Sequence, residues 1–284
     1  MSRNKLLGEC VAEVCGTFIL CFFGPGSVAA AVLCGAQQGL WQVAVVWGFA
    51  ITLAIYATSA ISGAHLNPAV TIAVSIFRHV NFPARKIVPY VASQMVGAIL
   101  AATVLLGLFS GVCDRFEAKN NIVRGQPGSQ LSGMWFGEYF PNPAIFGTDE
   151  EAFQAVTPAN AFFGELVGTS FLLFFILALT DKRNPNAPSG NSNLYAYFIG
   201  FSVAIIISIV APLTQAGLNP ARDLGPRIVA YFAGWGKIAI PGPRGVEWWL
   251  YIVAPVIGGV IGAALYYGLV GHFHQPIPET EAAA

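Results

Sequence analysis

The sequence predicts an all-α membrane protein: six transmembrane helices and two Asn-Pro-Ala half-helices in an inverted repeat. Three observations predict it. Of the 284 residues, 55% are hydrophobic and only 10% are charged, and the mean hydropathy is +0.64. A soluble globular protein carries about 25% charged residues, so this chain needs the bilayer as its solvent. Apolar stretches of spanning length recur along it. Finally, Leu-Asn-Pro-Ala occurs at 66–69 and again at 218–221, each time in an apolar stretch too short to span.

In chain order, the first span covers 7–33. Arg3 and Lys5 precede it, as basic residues precede a cleaved leader, but the run continues to residue 34 and carries Glu9 and Glu13. A leader core is only about 7–15 residues long, so this segment is expected to remain as a membrane helix. Further spans are expected at 40–61, 85–109, 159–180, 194–214 and 248–271. The short apolar stretches 67–78 and 219–233 both open at Asn-Pro. A helix the length of the first reaches roughly 18 Å, against about 30 Å of hydrocarbon. The expected organisation is a first repeat at 1–109, a long outer loop at 110–158, a second repeat at 159–272 and a short disordered tail at 273–284.

The halves share one register. Residues 13–23 and 165–175 have Glu, Gly, Thr, Leu and both Phe at equal positions, 152 residues apart. Gly48-Phe49 and Gly200-Phe201 keep that offset, and so do Asn67 and Asn219. Each half holds three spans, an odd number, so the second must enter from the opposite side. The repeat is then inverted about an axis in the membrane plane, and the two Asn-Pro stretches meet near the midplane.

Orientation follows from basic residues near span ends. With the N-terminus inside, Arg3, Lys5, Arg78, Arg85, Lys86, Lys182 and Arg183 are cytoplasmic. Arg115, Lys119, Arg124, Lys237 and Arg244 then lie in the longer outer loops, where the rule is weak. A multi-pass cell-membrane protein with both termini cytoplasmic is expected. The 14 basic residues balance the 14 acidic ones, and no basic stripe points to nucleic acid. The five cysteines match no metal or redox spacing and read as small packing residues.

Asparagine suits the position just before a helix, and proline its first turn. Asn67-Pro68-Ala69 and Asn219-Pro220-Ala221 are therefore helix starts. Starting a helix at the midplane leaves free N–H groups and a positive dipole end in a low-dielectric place, which is costly unless something polar passes by. Two such starts facing each other make a donor-rich constriction. It suits water or a hydroxyl and repels a cation. The residues just before each motif cannot be helical. Carbonyls of Gly63, Ala64 and His65, and of Ala216, Gly217 and Leu218 with Gln215, are expected to line the passage. A third Asn-Pro-Ala, at 142–144, precedes Asp149, Glu150 and Glu151 and reads as a turn in the outer loop without a pore role.

Paired Asn-Pro-Ala half-helices in an inverted six-span repeat resemble the aquaporin, or major intrinsic protein, family over about residues 6–272. Asp223, Gly225-Pro226-Arg227 and the loop stretch Tyr139-Phe140-Pro141-Asn142-Pro143 are similar to its glycerol-facilitator branch. The resemblance implies an aquaporin-like fold, a homotetramer in the lipid bilayer with one pore per subunit, and a narrow filter at Trp47, Ile207, Ala216 and Arg222. Glycerol facilitators usually have Gly where Ile207 stands and an aromatic where Ala216 stands. Trp/Ile/Ala/Arg is more similar to some plant nodulin-like intrinsic proteins. Glycerol and water are the implied solutes, with urea and other small polyols as further candidates. No cofactor, metal or catalytic residue is implied.

Two readings remain for the polar residues inside the membrane. Arg222 can serve the pore, or pair with Asp223 or Glu247 to hold loops together. Glu13 and Glu165 can be proton carriers of a secondary transporter, or structural buried acids that accept backbone N–H groups before each half-helix. A passive channel for small neutral solutes and a secondary transporter are thus both weighed. No Ser/His/Asp set, metal cluster or phosphate loop suggests an enzyme.

Overall fold

A computed structural model describes residues 3–188 and 194–275. Six helices are long and apolar enough to cross a membrane. With the half-helices between them, the order is α1 (Arg3–Cys34), α2 (Leu40–Ser62), α3 (Pro68–Phe77), α4 (Ile87–Lys119), α5 (Pro158–Leu179), α6 (Tyr195–Thr214), α7 (Pro220–Ala230) and α8 (Glu247–Leu269). The described residues contain no strand. The expected tail falls largely on 276–284, outside the described residues. Large apolar side chains point outward along the spans; Ile209 is 72% exposed and Leu53 57%. Such surfaces belong against lipid.

Local chemistry sets the breaks. Gly63 ends α2 with φ 84°, and Asn67 starts α3 by accepting from Ala69 N through Oδ1 at 2.8 Å, with Pro68 in the first turn. Asn219 starts α7 in the same way, accepting from Ala221 N at 3.1 Å and Arg222 N at 3.3 Å. Thr157 and Asn160 form a reciprocal cap ahead of α5.

The helices pack through small residues, as membrane helices do when no hydrophobic drive separates lipid from protein. At Gly97 of α4 a Cβ would collide with Val14 O of α1; at Gly258 of α8 it would collide with Leu166 O of α5. Val14 and Leu166 are 152 residues apart, but Gly97 and Gly258 are 161 apart. The third and sixth spans are thus equivalent after an insertion of nine residues, which the sequence comparison of the halves does not register. Each half-helix packs on the third span of the other half, α3 on α8 and α7 on α4. This interlocks the repeats.

One span differs from expectation. Hydropathy predicts the third at 85–109, but α4 runs on to Lys119. Its last turns carry charges yet are anchored: Arg124 pairs with Asp114 and Glu117 and lies 4.3 Å from the Trp235 ring, while Ser132 Oγ donates to Glu117 at 2.6 Å. Hydropathy falls where the helix leaves the bilayer, although the helix does not end there. The loop expected on the outer side is ordered, with short helical turns at Gln130–Gly133, Pro143–Phe146 and Glu150–Ala155.

Candidate functional site

The N-termini of α3 and α7 meet inside the molecule and are cross-linked by their own caps. Asn67 Nδ2 donates to Leu218 O at 2.9 Å, and Asn219 Nδ2 donates to Leu66 O at 2.8 Å. Each asparagine therefore caps its own helix with its oxygen and holds the other repeat with its nitrogen.

The segments before the caps are held in a backbone conformation that L-residues avoid. Ala64 and Leu66 have φ 51° and 53°; Gln215, Ala216 and Leu218 have 61°, 58° and 53°. Such left-handed positions cost roughly 1–2 kcal/mol each and need outside support. Glu13 supplies it in the first repeat, accepting from His65 N at 2.9 Å, Leu66 N at 2.7 Å, Ser62 Oγ at 2.7 Å and Gln94 Nε2 at 2.7 Å. Glu165 does so in the second, accepting from Gly217 N at 2.9 Å, Leu218 N at 2.7 Å and Thr214 Oγ1 at 2.6 Å. Tyr90 and Tyr251, also 161 residues apart, donate to Ser62 O and Thr214 O at the ends of α2 and α6.

Two cavities enter from opposite faces. Taking the face expected to be cytoplasmic as inner, the inner one, about 520 Å³, is lined by Gly63, Ala64, His65, Asn67, Ala216, Gly217, Leu218 and Asn219. Pro68, Ala69, Pro220 and Ala221 are buried behind it. The outer cavity, about 370 Å³, is lined by loop residues, including Glu138 and Asn142. Trp47, Ile207 and Arg222 border both, and Ala216 lies on the inner side. Three of the four residues that the resemblance gives to a filter thus border the junction of the two cavities, while Ala216 lines the inner cavity. The Arg222 guanidinium lies 4.7 Å from the Trp47 ring, and Ile207 adds an apolar side chain to the same two cavity walls.

Arg222 is not paired with Asp223 or Glu247. Its Nη2 forms an ion pair with Glu138 of the outer loop, and Nη1 donates to Phe136 O at 3.2 Å. Asp223 instead takes Arg227 Nε at 2.7 Å, and Glu247 accepts from Arg244 N and Val246 N. The third motif is a turn in the outer loop, where Asn142 accepts from Ala144 N and donates to Ala211 O. It also borders the outer cavity, a place that its polar sequence surroundings do not suggest. The carbonyl of Leu66 also accepts at the site, from Asn219 Nδ2, as the repeat offset that pairs it with Leu218 implies. Glu138 was missed because nothing local marks which loop residue will fold back over a buried arginine.

Arg222→Ala is expected to raise cation leak while leaving the chain folded. The constriction then loses its buried positive charge, so a cation meets less repulsion there. Conductance in planar bilayers checks this; background conductance with unchanged neutral flux would make Arg222 a structural charge.

Residues 1–267 match the family model described as major intrinsic protein. The glycerol uptake facilitator protein of Escherichia coli (strain K12) is 41% identical over 278 residues, covering 97% of this chain and 92% of the relative. That of Pseudomonas aeruginosa is 40% identical, with 99% and 94% covered. The propanediol uptake facilitator of Citrobacter freundii is also 40% identical, covering 95% and 94%. Among solved structures, the aquaglyceroporin from Plasmodium falciparum superposes with a TM-score of 0.76 at 27% identity, over 93% of this chain and 96% of that one.

Proposed function

The chain belongs to the major intrinsic protein family, and from that premise we propose a passive transmembrane channel for glycerol and related small neutral solutes, with water permeation and exclusion of ions and protons. The carrying observation is the meeting of two cavities at Trp47, Ile207 and Arg222, next to paired helix N-termini. A polyol has a CH face and an OH face. The first suits Trp47 and Ile207; the second suits the donors of Arg222 and the carbonyls before each half-helix. Names of the relatives, glycerol and propanediol facilitators, fit the same solute class. The secondary-transporter reading is not favoured, because Glu13 and Glu165 are already engaged as acceptors of several N–H and O–H groups. We further propose cytoplasmic termini, from the basic residues at the inner span ends, and a homotetramer in the bilayer, from the family resemblance.

Stopped-flow reswelling of proteoliposomes with glycerol, urea and larger polyols tests the function. A channel gives unsaturated flux with low activation energy and no dependence on an ion gradient; saturation with ion coupling would establish a transporter. Within that assay, Ile207→His should cut glycerol flux more than water flux, by adding bulk and polarity to the apolar wall. Ala216→Phe should obstruct glycerol, and Ile207→Gly in the same chain should restore it, since residues sharing one cavity couple. Ala216 sits at φ 58°, where a bulky residue adds strain, so flux is taken per folded protein. Additive effects of the two substitutions would place the residues apart in the pore.

A further inference from the structure

We propose that Gln215 is a positioning and specificity-determining residue of the outer mouth: its side-chain amide pins the loop strap 134–139 beside the filter and so sets the largest polyol that enters. This deepens, and rests on, the channel function proposed above.

Gln215 is out of place for its backbone. It is the C-cap of α6, in the left-handed region at φ 61° and ψ −1°, and its N–H donates to Ala211 O at 2.9 Å. The same position in the first repeat, 152 residues earlier, is Gly63, the C-cap of α2 at φ 84° and ψ −1°. Glycine is favoured at such a cap, and an L-residue is strained there. One repeat thus has the residue that the turn prefers. The other has a long polar side chain that the turn only tolerates. The backbone does not call for it, so its use lies in what the side chain reaches.

It reaches the strap. Oε1 accepts from Tyr139 N at 2.9 Å, and Nε2 donates to Met134 O at 3.0 Å. Both bonds end on backbone, so the amide is matched to the path of the strap and not to one of its side chains. Met134 and Tyr139 flank Phe136, whose carbonyl accepts from Arg222 Nη1 at 3.2 Å. Gln215 therefore holds the stretch that fixes one arm of the filter arginine.

The chain crosses the junction of the two cavities at this turn. Gln215 and Met134 line the outer cavity and Ala216 the inner one, while Trp47, Ile207 and Arg222 border both. A side chain spanning from the turn to Met134 closes the wall where Ala216 offers only a methyl group. Other ties keep the strap attached without it: Glu138 N donates to Asp223 Oδ1 at 2.7 Å, and Glu138 O accepts from Arg227 Nη2. Loss of the Gln215 amide releases the strap from the turn and leaves it tied to α7. The mouth then widens on the Ala216 side, while Arg222 and the paired helix N-termini still repel cations.

The test uses the full chain in proteoliposomes, with stopped-flow flux of water, glycerol and the longer polyol erythritol. Gln215→Gly suits the cap and should assemble. It should raise the erythritol-to-glycerol flux ratio by about threefold or more, the scale of the lost hydrogen bonds, with cation conductance at background. Gln215→Met keeps the length of the side chain without its hydrogen bonds and should raise the ratio by less. A folded Gln215→Gly variant with the wild-type ratio overturns the proposal. So does an equal rise in all fluxes, which would mean a loosened mouth without size selection. Should Gln215→Gly not assemble, Gln215→Met decides by the same ratio; if neither assembles, the amide is a folding tie and the proposal falls. A wild type that passes no glycerol would instead overturn the channel function itself, and this proposal with it.

Discussion

Valine in place of Gly262 is expected to abolish the folded channel, while valine in place of Gly268 on the same helix leaves it intact. A Cβ at Gly262 would run into the Ser170 carbonyl of α5, with Ser170 C and Cα close behind. Those are backbone atoms, so no rotamer change relieves the clash. The helices are also tied there, since Ser170 Oγ donates to Gly258 O at 2.9 Å. To admit the side chain, α5 and α8 must separate, which opens packing along much of their length. Overpacking of this kind costs about 1–3 kcal/mol and sometimes more. The damage reaches the pore, because α8 carries Tyr251, which braces Thr214, and α5 carries Glu165, which holds the turn before α7. At Gly268 a Cβ meets nothing within 4 Å, so the same change of residue tests helix propensity and bulk alone. Thermal unfolding and size-exclusion profiles of the purified variants check this. Equal stability of the two variants would mean that the α5–α8 contact tolerates separation.

The fold was legible wherever the two halves kept one register. Glu13 with Glu165, and Asn67 with Asn219, announced both the inversion and the half-helices, because an Asn-Pro start inside an apolar run has few other uses. Where the register slips, it was not. Tyr90 with Tyr251 and Gly97 with Gly258 are equivalent in space, but nine extra residues separate them in sequence, so an offset search over apolar segments passes them by. The end of α4 is hidden for a different reason: hydropathy reports where a helix leaves the lipid, and α4 continues as a charged, loop-braced helix to Lys119. At the site, the motif asparagines could be read as caps. Their cross-bonds to Leu218 and Leu66 could not, since these need the two half-helices face to face. The partner of Arg222 lies 84 residues away in sequence, on a loop whose return path has no local signature.

Aspartate at either motif asparagine is expected to damage the channel far more than serine does. Each Asn oxygen accepts helix N–H groups, and aspartate or serine can still do that. The nitrogen is what aspartate loses. Asn219 Nδ2 lies 2.8 Å from Leu66 O, and Asn67 Nδ2 lies 2.9 Å from Leu218 O; a carboxylate oxygen there faces a carbonyl oxygen and must withdraw. The new charge sits at the midplane, where it reverses the field that the two helix N-termini create and draws cations in. Serine forfeits the cross-bond without adding charge. Neutral flux per folded channel should fall by about tenfold or more in the aspartate variants, the equivalent of roughly 1.4 kcal/mol for one lost buried hydrogen bond, and by less in the serine variants. The two aspartates should not behave alike. Asn219 is three residues from Arg222, whereas the equivalent position in the first repeat is Val70. Arg222 therefore offsets part of the charge in Asn219→Asp and none of it in Asn67→Asp, so Asn67→Asp should leak more cation. Wild-type flux in both aspartate variants would sink the electrostatic account of the motifs. Equal leak in the two would show that Arg222 does not reach the midplane field.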